Sequence, residues 1–190
     1  MKVIAVIPAR GGSKRIPQKN IIDFMGKPMI AWTIQAAYES KIFDRVVVST
    51  DDDECATISK KYGCDVPFLR DTSSDDIAPV SMATIRALEQ AERFYSEEYD
   101  IVIQLMPNTP LRTAKDIVQH FNNFLEKNNN FQISSFKFGW MNPWWSFRIN
   151  ENEKHEWMFP ESFNKRSQDL PNLYCPTGAI WISKVNLLKH

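Results

Sequence analysis

Nothing in this sequence of 190 residues is in large surplus, and the shortages are informative. Acidic and basic residues balance at 23 each. A protein that grips nucleic acid through its phosphates normally carries a basic excess or stripe, and none is visible. No apolar run approaches the roughly 20 residues that a bilayer-spanning helix needs. A secretory leader is not expected either, because the apolar run Val3–Ile7 is short and leads straight into a charged loop. Cysteine is limited to Cys55, Cys64 and Cys175. That odd count, with no Cys-x-x-Cys pair, argues against a disulfide framework and fits idle thiols in a reducing cytoplasm. His120, His155 and His190 show no metal spacing. There is no internal repeat, low-complexity tract or linker. These features describe a soluble cytoplasmic globular protein.

Glycine is scarce as well, yet two of the six are adjacent. The run Val3–Ile7 is followed by Pro8-Ala9-Arg10-Gly11-Gly12-Ser13-Lys14-Arg15-Ile16-Pro17-Gln18-Lys19-Asn20. A buried strand thus feeds a loop with paired glycines, a hydroxyl and the cations Arg10, Lys14, Arg15 and Lys19. Consecutive glycines let backbone N–H groups converge on an anion, because no Cβ blocks positive φ. Serine adds a neutral donor, and lysine and arginine add point and forked charges. The loop is neither a Walker A sequence nor a Gly-x-Gly-x-x-Gly fingerprint. A solvated basic loop after an edge strand is the plainer reading, but the position after the first strand and the density of donors favour polyphosphate binding.

The first two thirds of the chain alternate strand-like and helix-like segments. Val3–Ile7, Arg45–Ser49, Asp65–Leu69 and Ile101–Leu105 read as strands covered on both faces. Pro28–Ser40, a helix capped by Thr50 or Asp51 and ending near Gly63, Ser81–Tyr95 and Ala114–Lys127 read as helices. This alternation predicts an α/β protein with a parallel sheet flanked by helices, whose ligand sits beyond the carboxyl ends of the strands. Phe131–Phe138 and Ala179–Ser183 add strands, and Lys184–His190 begins a helix. Between them, Gly139–Phe163 holds Trp140, Trp144, Trp145 and Trp157 with prolines and no clear period. So much aromatic area is costly to leave in water, so this stretch reads as an arm packed on a partner subunit.

Taken together, these residues resemble the acylneuraminate cytidylyltransferases, the family that activates sialic acid and related nonulosonic acids. The resemblance rests on Ile7-Pro8-Ala9-Arg10-Gly11-Gly12-Ser13-Lys14 with Lys19-Asn20, and continues in order through Gly26-Lys27-Pro28-Met29-Ile30 and Val47-Val48-Ser49-Thr50-Asp51. Pro107-Asn108-Thr109-Pro110-Leu111-Arg112 and Gly178-Ala179-Ile180-Trp181-Ile182 complete it. Lys14-Arg15-Ile16-Pro17 and Val66-Pro67-Phe68-Leu69-Arg70 look closest to branches handling bacterial nonulosonates such as pseudaminic acid. The resemblance implies a Rossmann-like nucleotidyltransferase fold. It would comprise a nucleotide-binding core (1–138 and 171–190) and a small dimerisation arm (139–170) that crosses to the neighbour in a homodimer. It also implies transfer of CMP from CTP to the anomeric hydroxyl of a nonulosonic acid, with release of pyrophosphate and dependence on Mg²⁺. The implied nucleotide-binding residues are Ala9, Arg10, Gly12, Ser13, Lys19, Asn20, Arg70 and Ser81. Arg10, Lys14 and Lys19 would stabilise charge in the reaction, since phosphoryl-type transfer depends on positioning and charge stabilisation.

The sequence departs from the family in places. Where the family usually has glutamine before Pro-Thr-Ser-Pro, this chain has Met106, with Gln104 two residues earlier and therefore on the same strand face. Gln104 is the substrate-binding candidate on the core. Arg166, in Arg166-Ser167-Gln168-Asp169-Leu170-Pro171, is the candidate for the sugar carboxylate, which arginine matches with two parallel bonds. In relatives a paired-Asp segment that helps bind Mg²⁺ follows the Gly-Ala-Ile-Trp strand. The sequence reaches His190 before such a segment, so the metal ligands stay unassigned and a truncated chain is expected. Two other readings stay open: a nucleotidyltransferase for a different sugar acid or sugar phosphate, and a non-catalytic nucleotide-binding regulator.

Overall fold

Burial of every residue from Val3 to Pro8 makes the first strand the middle of the fold. The computed structural model describes the chain apart from Lys14, 71–79 and 189–190. In chain order the elements are β1 (Val3–Pro8), β2 (Asp23–Phe24), β3 (Lys27–Pro28), α1 (Met29–Ser40), β4 (Arg45–Ser49), α2 (Asp53–Lys61), α3 (Val80–Tyr95) and β5 (Ile101–Leu105). There follow α4 (Ala114–Glu126), β6 (Phe131–Lys137), β7 (Phe147–Ile149), β8 (His155–Trp157), β9 (Tyr174–Lys184) and α5 (Val185–Leu188). Two compact units result, Met1–Ser134 with Gly178–His190, and the insertion Ser135–Thr177.

In the first unit the sheet runs β4-β1-β5-β9-β6. β1 pairs in parallel with β4 and β5, so Pro8, Ser49 and Leu105 end together on one edge, whereas β9 runs antiparallel to β5. Alternation along each strand divides the apolar residues between two faces. Ala5, Ile7, Val48, Ile103, Leu105 and Ile182 meet Ile30, Ile34, Ile117, Phe121 and Phe124 of α1 and α4. Ile4, Val6, Val47 and Val102 meet Ala87, Leu88 and Ala91 of α3. Each large aliphatic side chain so buried contributes about 1.5–3 kcal/mol. The start of α4 is fixed by a reciprocal cap, in which Thr113 Oγ1 accepts from Asp116 N and the Asp116 carboxylate accepts from Thr113 N. Met25 and Gly26, both with positive φ, join β2 to β3 in the two-residue turn that suits a tight hairpin.

Three local expectations are corrected. Asp65–Leu69 is not a strand: it touches β4 only at Val47–Asp65, and Pro67 offers no N–H to extend the ladder. The cap of α2 is Asp52, one residue beyond the expected pair, with its carboxylate accepting from Cys55 N at 2.7 Å. β9 is far longer than Ala179–Ser183, its early part having been hidden by Pro176 and by Gly178, which adopts φ +73. Cys55 and Cys64 are buried free thiols whose pKa values burial pushes up, that of Cys64 to about 12. No helix among the described residues is long and apolar enough to cross a membrane.

The second unit is built on the β7–β8 hairpin and on aromatic pairs, one edge-on and one tilted. Phe147 meets Trp157 at 5.6 Å between ring centres, and Trp157 meets Phe163 at 4.9 Å. Trp144 Nε1 donates to Pro171 O and Trp145 Nε1 to Ser162 O. These two tryptophans therefore serve their own unit. The apolar side chains it presents outward are others: Trp140, 85 % exposed, with Met141, Ile149, Met158 and Phe163.

Candidate active site

At the carboxyl edge of the sheet the chain leaves β1 and turns within a few residues. Ala9 N donates to Ser49 O at 2.9 Å, which welds the loop to the end of β4. Gly11 N donates to Asp51 Oδ1 at 2.9 Å, and Ser13 N to Gly11 O at 2.9 Å. The amides of Ala9, Gly11 and Ser13 thus already hold acceptors, and on Gly11 the acceptor is a carboxylate, a resident anion. The expectation that the glycines supply positive φ is corrected, since only Gly26, Gly63 and Gly178 adopt it among the described glycines. Gly11 is required for a different reason: a Cβ there would lie 2.5 Å from Asp52 Oδ2 and 2.8 Å from Asp52 Cβ. Gly12 faces open space. Gly11→Ala must displace Asp52, the cap of α2, so it is expected to cost about 1–3 kcal/mol of stability together with loop function. A melting curve matching that of Gly12→Ala would remove the close-approach argument.

The loop returns through Asn20, buried, whose Nδ2 donates to Arg10 O at 2.9 Å while its own carbonyl accepts from Ile30 N. Asn20 therefore holds the loop closed around Arg10. Lys19, half-buried, has no hydrogen bond or ion pair among the described residues, and Arg15 is exposed. Lys14 lies outside the described residues.

Arg70 is the most telling side chain. Its backbone N–H donates to Thr50 O at 2.7 Å and its Nη2 to Ser49 O at 3.1 Å, which fixes it beside the loop. Its Nε is buried without a partner. Burial pushes the guanidinium pKa down; nearby Asp51 opposes this, and the charges of Arg10 and Arg86 add to it. Arg70 thus feels the positive charge of both Arg10 and Arg86 as well as the negative charge of Asp51. A cluster of cations of this kind beside a loop is suited to a multiply charged anion. Arg86, on α3, belongs to no motif in the sequence, which is why it was missed.

The remaining candidates fall elsewhere. Ser81, in the first turn of α3, lines a cavity of about 160 Å³ together with Gln104, Thr84 and Trp181. Gln104 is 5 % exposed, and its Oε1 accepts from Thr84 Oγ1 at 2.6 Å. Ser81 and Gln104, expected to serve different substrates, thus share one cavity. Arg166 belongs to the second unit, where its Nε and Nη2 donate to the two oxygens of Asp169 at 2.7 and 3.2 Å. Its fork is already matched to a carboxylate. Arg112, buried at 7 % exposure, ties the end of β5 to β9, because its Nη1 donates to Met106 O, Thr109 Oγ1 and Ala179 O. Among the described residues no group of three or more His, Cys, Asp or Glu is placed to hold a metal. Asp75 and Asp76 lie outside the described residues.

A family model described as Cytidylyltransferase matches residues 4–154. The chain is 40% identical over 183 residues to the pseudaminic acid cytidylyltransferase of Campylobacter jejuni subsp. jejuni serotype O:23/36 (strain 81-176), an alignment covering 95% of this chain and 78% of that one. It is 34% identical over 118 residues to the N-acylneuraminate cytidylyltransferase of Escherichia coli O18:K1:H7 (strain RS218 / NMEC), covering 62% of this chain and 27% of that one. In fold it is similar to a CMP:2-keto-3-deoxy-manno-octonic acid synthetase solved with CTP, at a TM-score of 0.74 and 19% identity over 100% of this chain and 76% of that one. With the family model running through most of its length and a relative so similar across nearly all of it, the chain belongs to the cytidylyltransferase family.

Proposed function

We propose that this protein transfers CMP from CTP to the anomeric hydroxyl of a nonulosonic acid, pseudaminic acid being favoured by the Campylobacter jejuni relative. The observation that carries the reading is Arg70, tied to Thr50 O and Ser49 O beside the loop that follows β1, with the charges of Arg10 and Arg86 acting on it. In the reaction the hydroxyl oxygen bonds to the α-phosphorus as the bond to the β-phosphate oxygen breaks, and pyrophosphate leaves. Negative charge accumulates on the departing group, and cations fixed beforehand offset it with little rearrangement. Arg10, Lys14, Lys19 and Arg70 take that part in our reading, with Gly12 and Ser13 left for close approach of the phosphates. Asn20 acts through the Arg10 carbonyl. For Mg²⁺, Asp51 and Asp52 are the carboxylates at the loop. Each already accepts from a backbone N–H, so the described residues form no protein cage. Mg²⁺ bound mainly by phosphate oxygens needs only one or two carboxylates and would neutralise the triphosphate.

The test is to incubate the chain with each nucleoside triphosphate, with and without Mg²⁺, and a panel of 3-deoxy-keto acids, following pyrophosphate. Release is expected with CTP and a nonulosonic acid, and loss of release with chelator. Turnover only with another acceptor or nucleotide supports the second reading, a nucleotidyltransferase of different specificity. Saturable CTP binding without turnover supports a regulator.

Self-association through the aromatic insertion belongs to the same proposal. Its outward side chains, led by Trp140, form the kind of surface enriched at interface cores. Trp140→Ser is expected to shift sedimentation from dimer towards monomer; an unchanged profile argues that the insertion covers nothing but itself. The three free thiols fit a cytoplasmic setting.

A further inference from the structure

Residues 51–54, between β4 and the first turn of α2, hold both limbs of the loop at the candidate site. On the outgoing limb Gly11 N donates to Asp51 Oδ1 at 2.9 Å, and Asp52 fills the space in which a Gly11 Cβ would stand. On the returning limb Gln18 Nε2 donates to Glu54 Oε2 at 2.9 Å. Gln18 adopts φ 49, left-handed backbone that a residue with a Cβ keeps only where its surroundings hold it. Its carbonyl is held by accepting from Ile21 N and Ile22 N. The loop backbone is therefore fixed against residues 51–54. The Asp51 side chain, half-buried and turning about its own single bonds, is the part that yields.

This arrangement sets a carboxylate against any anion that the loop takes. A phosphate oxygen reaching the Gly11–Gly12 backbone meets one of two situations. Either it takes the Gly11 N–H, and Asp51 gives up a charge-assisted bond, or it settles on Gly12 with a like charge beside it. Both outcomes raise the free energy of the bound anion. Asp51 also attracts Arg70, so it tempers a fixed cation of the site. For a nucleoside triphosphate, whose base and ribose make contacts of their own, this opposition is a small share of the total hold. Pyrophosphate, once cut from the nucleotide, keeps its phosphate contacts alone, and the opposition becomes a large share.

We infer that Asp51 is an internal competitor for the Gly11 amide, which loosens the site's hold on pyrophosphate after the bond to the nucleotide breaks. The inference rests on the CTP reading above and concerns departure of the leaving group, a step that limits turnover in many enzymes.

Calorimetric titration with pyrophosphate, with and without Mg²⁺, compares wild type with Asp51→Asn, which keeps an oxygen acceptor for Gly11 N but loses the charge. The variant is expected to bind pyrophosphate about tenfold more tightly in both conditions, because a neutral acceptor holds the amide roughly half as strongly and no longer repels the anion. Unchanged binding, or weaker binding in either condition, overturns the inference; weakening confined to Mg²⁺ would make Asp51 a metal ligand instead. Wild-type protein supplies a second measurement that needs no variant. In ¹⁵N-glycine-labelled protein the Gly11 amide is identified by ¹³C-arginine labelling, since Arg10-Gly11 is the one Arg-Gly step in the sequence. Saturating pyrophosphate is expected to shift that signal. A signal that stays in place while pyrophosphate binds defeats the role of Asp51 alone. Absence of binding by both CTP and pyrophosphate defeats it together with the reading beneath it.

Discussion

Arg70→Met is expected to lower kcat/KM for CTP by roughly ten- to a hundredfold, the range of one charge-assisted hydrogen bond to a phosphate. The same substitution should scarcely change the melting temperature. It removes one bond, from Nη2 to Ser49 O, worth about 1 kcal/mol. It also removes a half-buried cation that Asp51 attracts and that Arg10 and Arg86 repel, with a buried Nε that has no partner. These contributions oppose each other, so stability and activity should part company, as they do where a residue is kept for function at the expense of the resting fold. Arg70→Lys should recover part of the CTP dependence, because the charge returns without the fork. Steady-state kinetics with CTP varied, paired with thermal melts, decide the matter. A large fall in melting temperature with an unaltered KM for CTP would show Arg70 to be a strut.

The opposite pattern is expected at Arg112. Its Nη1 serves three acceptors, Met106 O, Thr109 Oγ1 and Ala179 O, just past the last β5–β9 register pair, Leu105 with Ile180. Arg112→Ala strips a donor from Met106 O, Thr109 Oγ1 and Ala179 O, each bond being worth about 0.5–1.5 kcal/mol, although Met106 O keeps the Thr109 hydroxyl at 2.8 Å. A total loss of about 3–4 kcal/mol is expected, a large share of the 5–15 kcal/mol that holds a typical domain together. Burial partly offsets this in the native protein, since it depresses the guanidinium pKa to about 10 and leaves Nε and Nη2 without partners. Arg112→Lys keeps the charge but not the geometry, so it should recover less than half of the loss. Urea unfolding with an unchanged slope provides the measurement. An Arg112→Ala midpoint equal to wild type would mean that desolvation cancels the three bonds.

Much of this fold could be read from the chain. Continuous apolar runs fixed β1, β4 and β5 closely, because strands buried on both faces admit few polar residues. Capping chemistry marked the start of α2 to within one residue, the cap Asp52 standing next to the expected Thr50 or Asp51. What escaped depends on partners distant in sequence. Asp65–Leu69 looked like a strand by composition, but Pro67 beside an edge strand broke the ladder. The antiparallel course of β9 is set by its pairing with β5, and no local pattern announces that. At the site, the loop from Ala9 to Asn20 was legible because its donors are consecutive. Arg86 was not, since its relevance comes only from standing near Arg70. Arg166 illustrates the converse: its residue type suited a carboxylate, and the carboxylate it meets is Asp169, three positions along the same turn.

The Asp51 carboxylate on the Gly11 amide has a consequence for how the molecule handles its cargo. Entry of a phosphate group at that amide is an exchange of one acceptor for another, so the tally of hydrogen bonds there barely changes. If the triphosphate binds here as proposed, net attraction must come from the guanidinium groups, since the carboxylate displaced from the Gly11 amide is the one that already attracts Arg70. On that reading a singly charged visitor gains little from such a swap while a triphosphate gains more, and the doorway would screen by charge before any base or sugar is inspected.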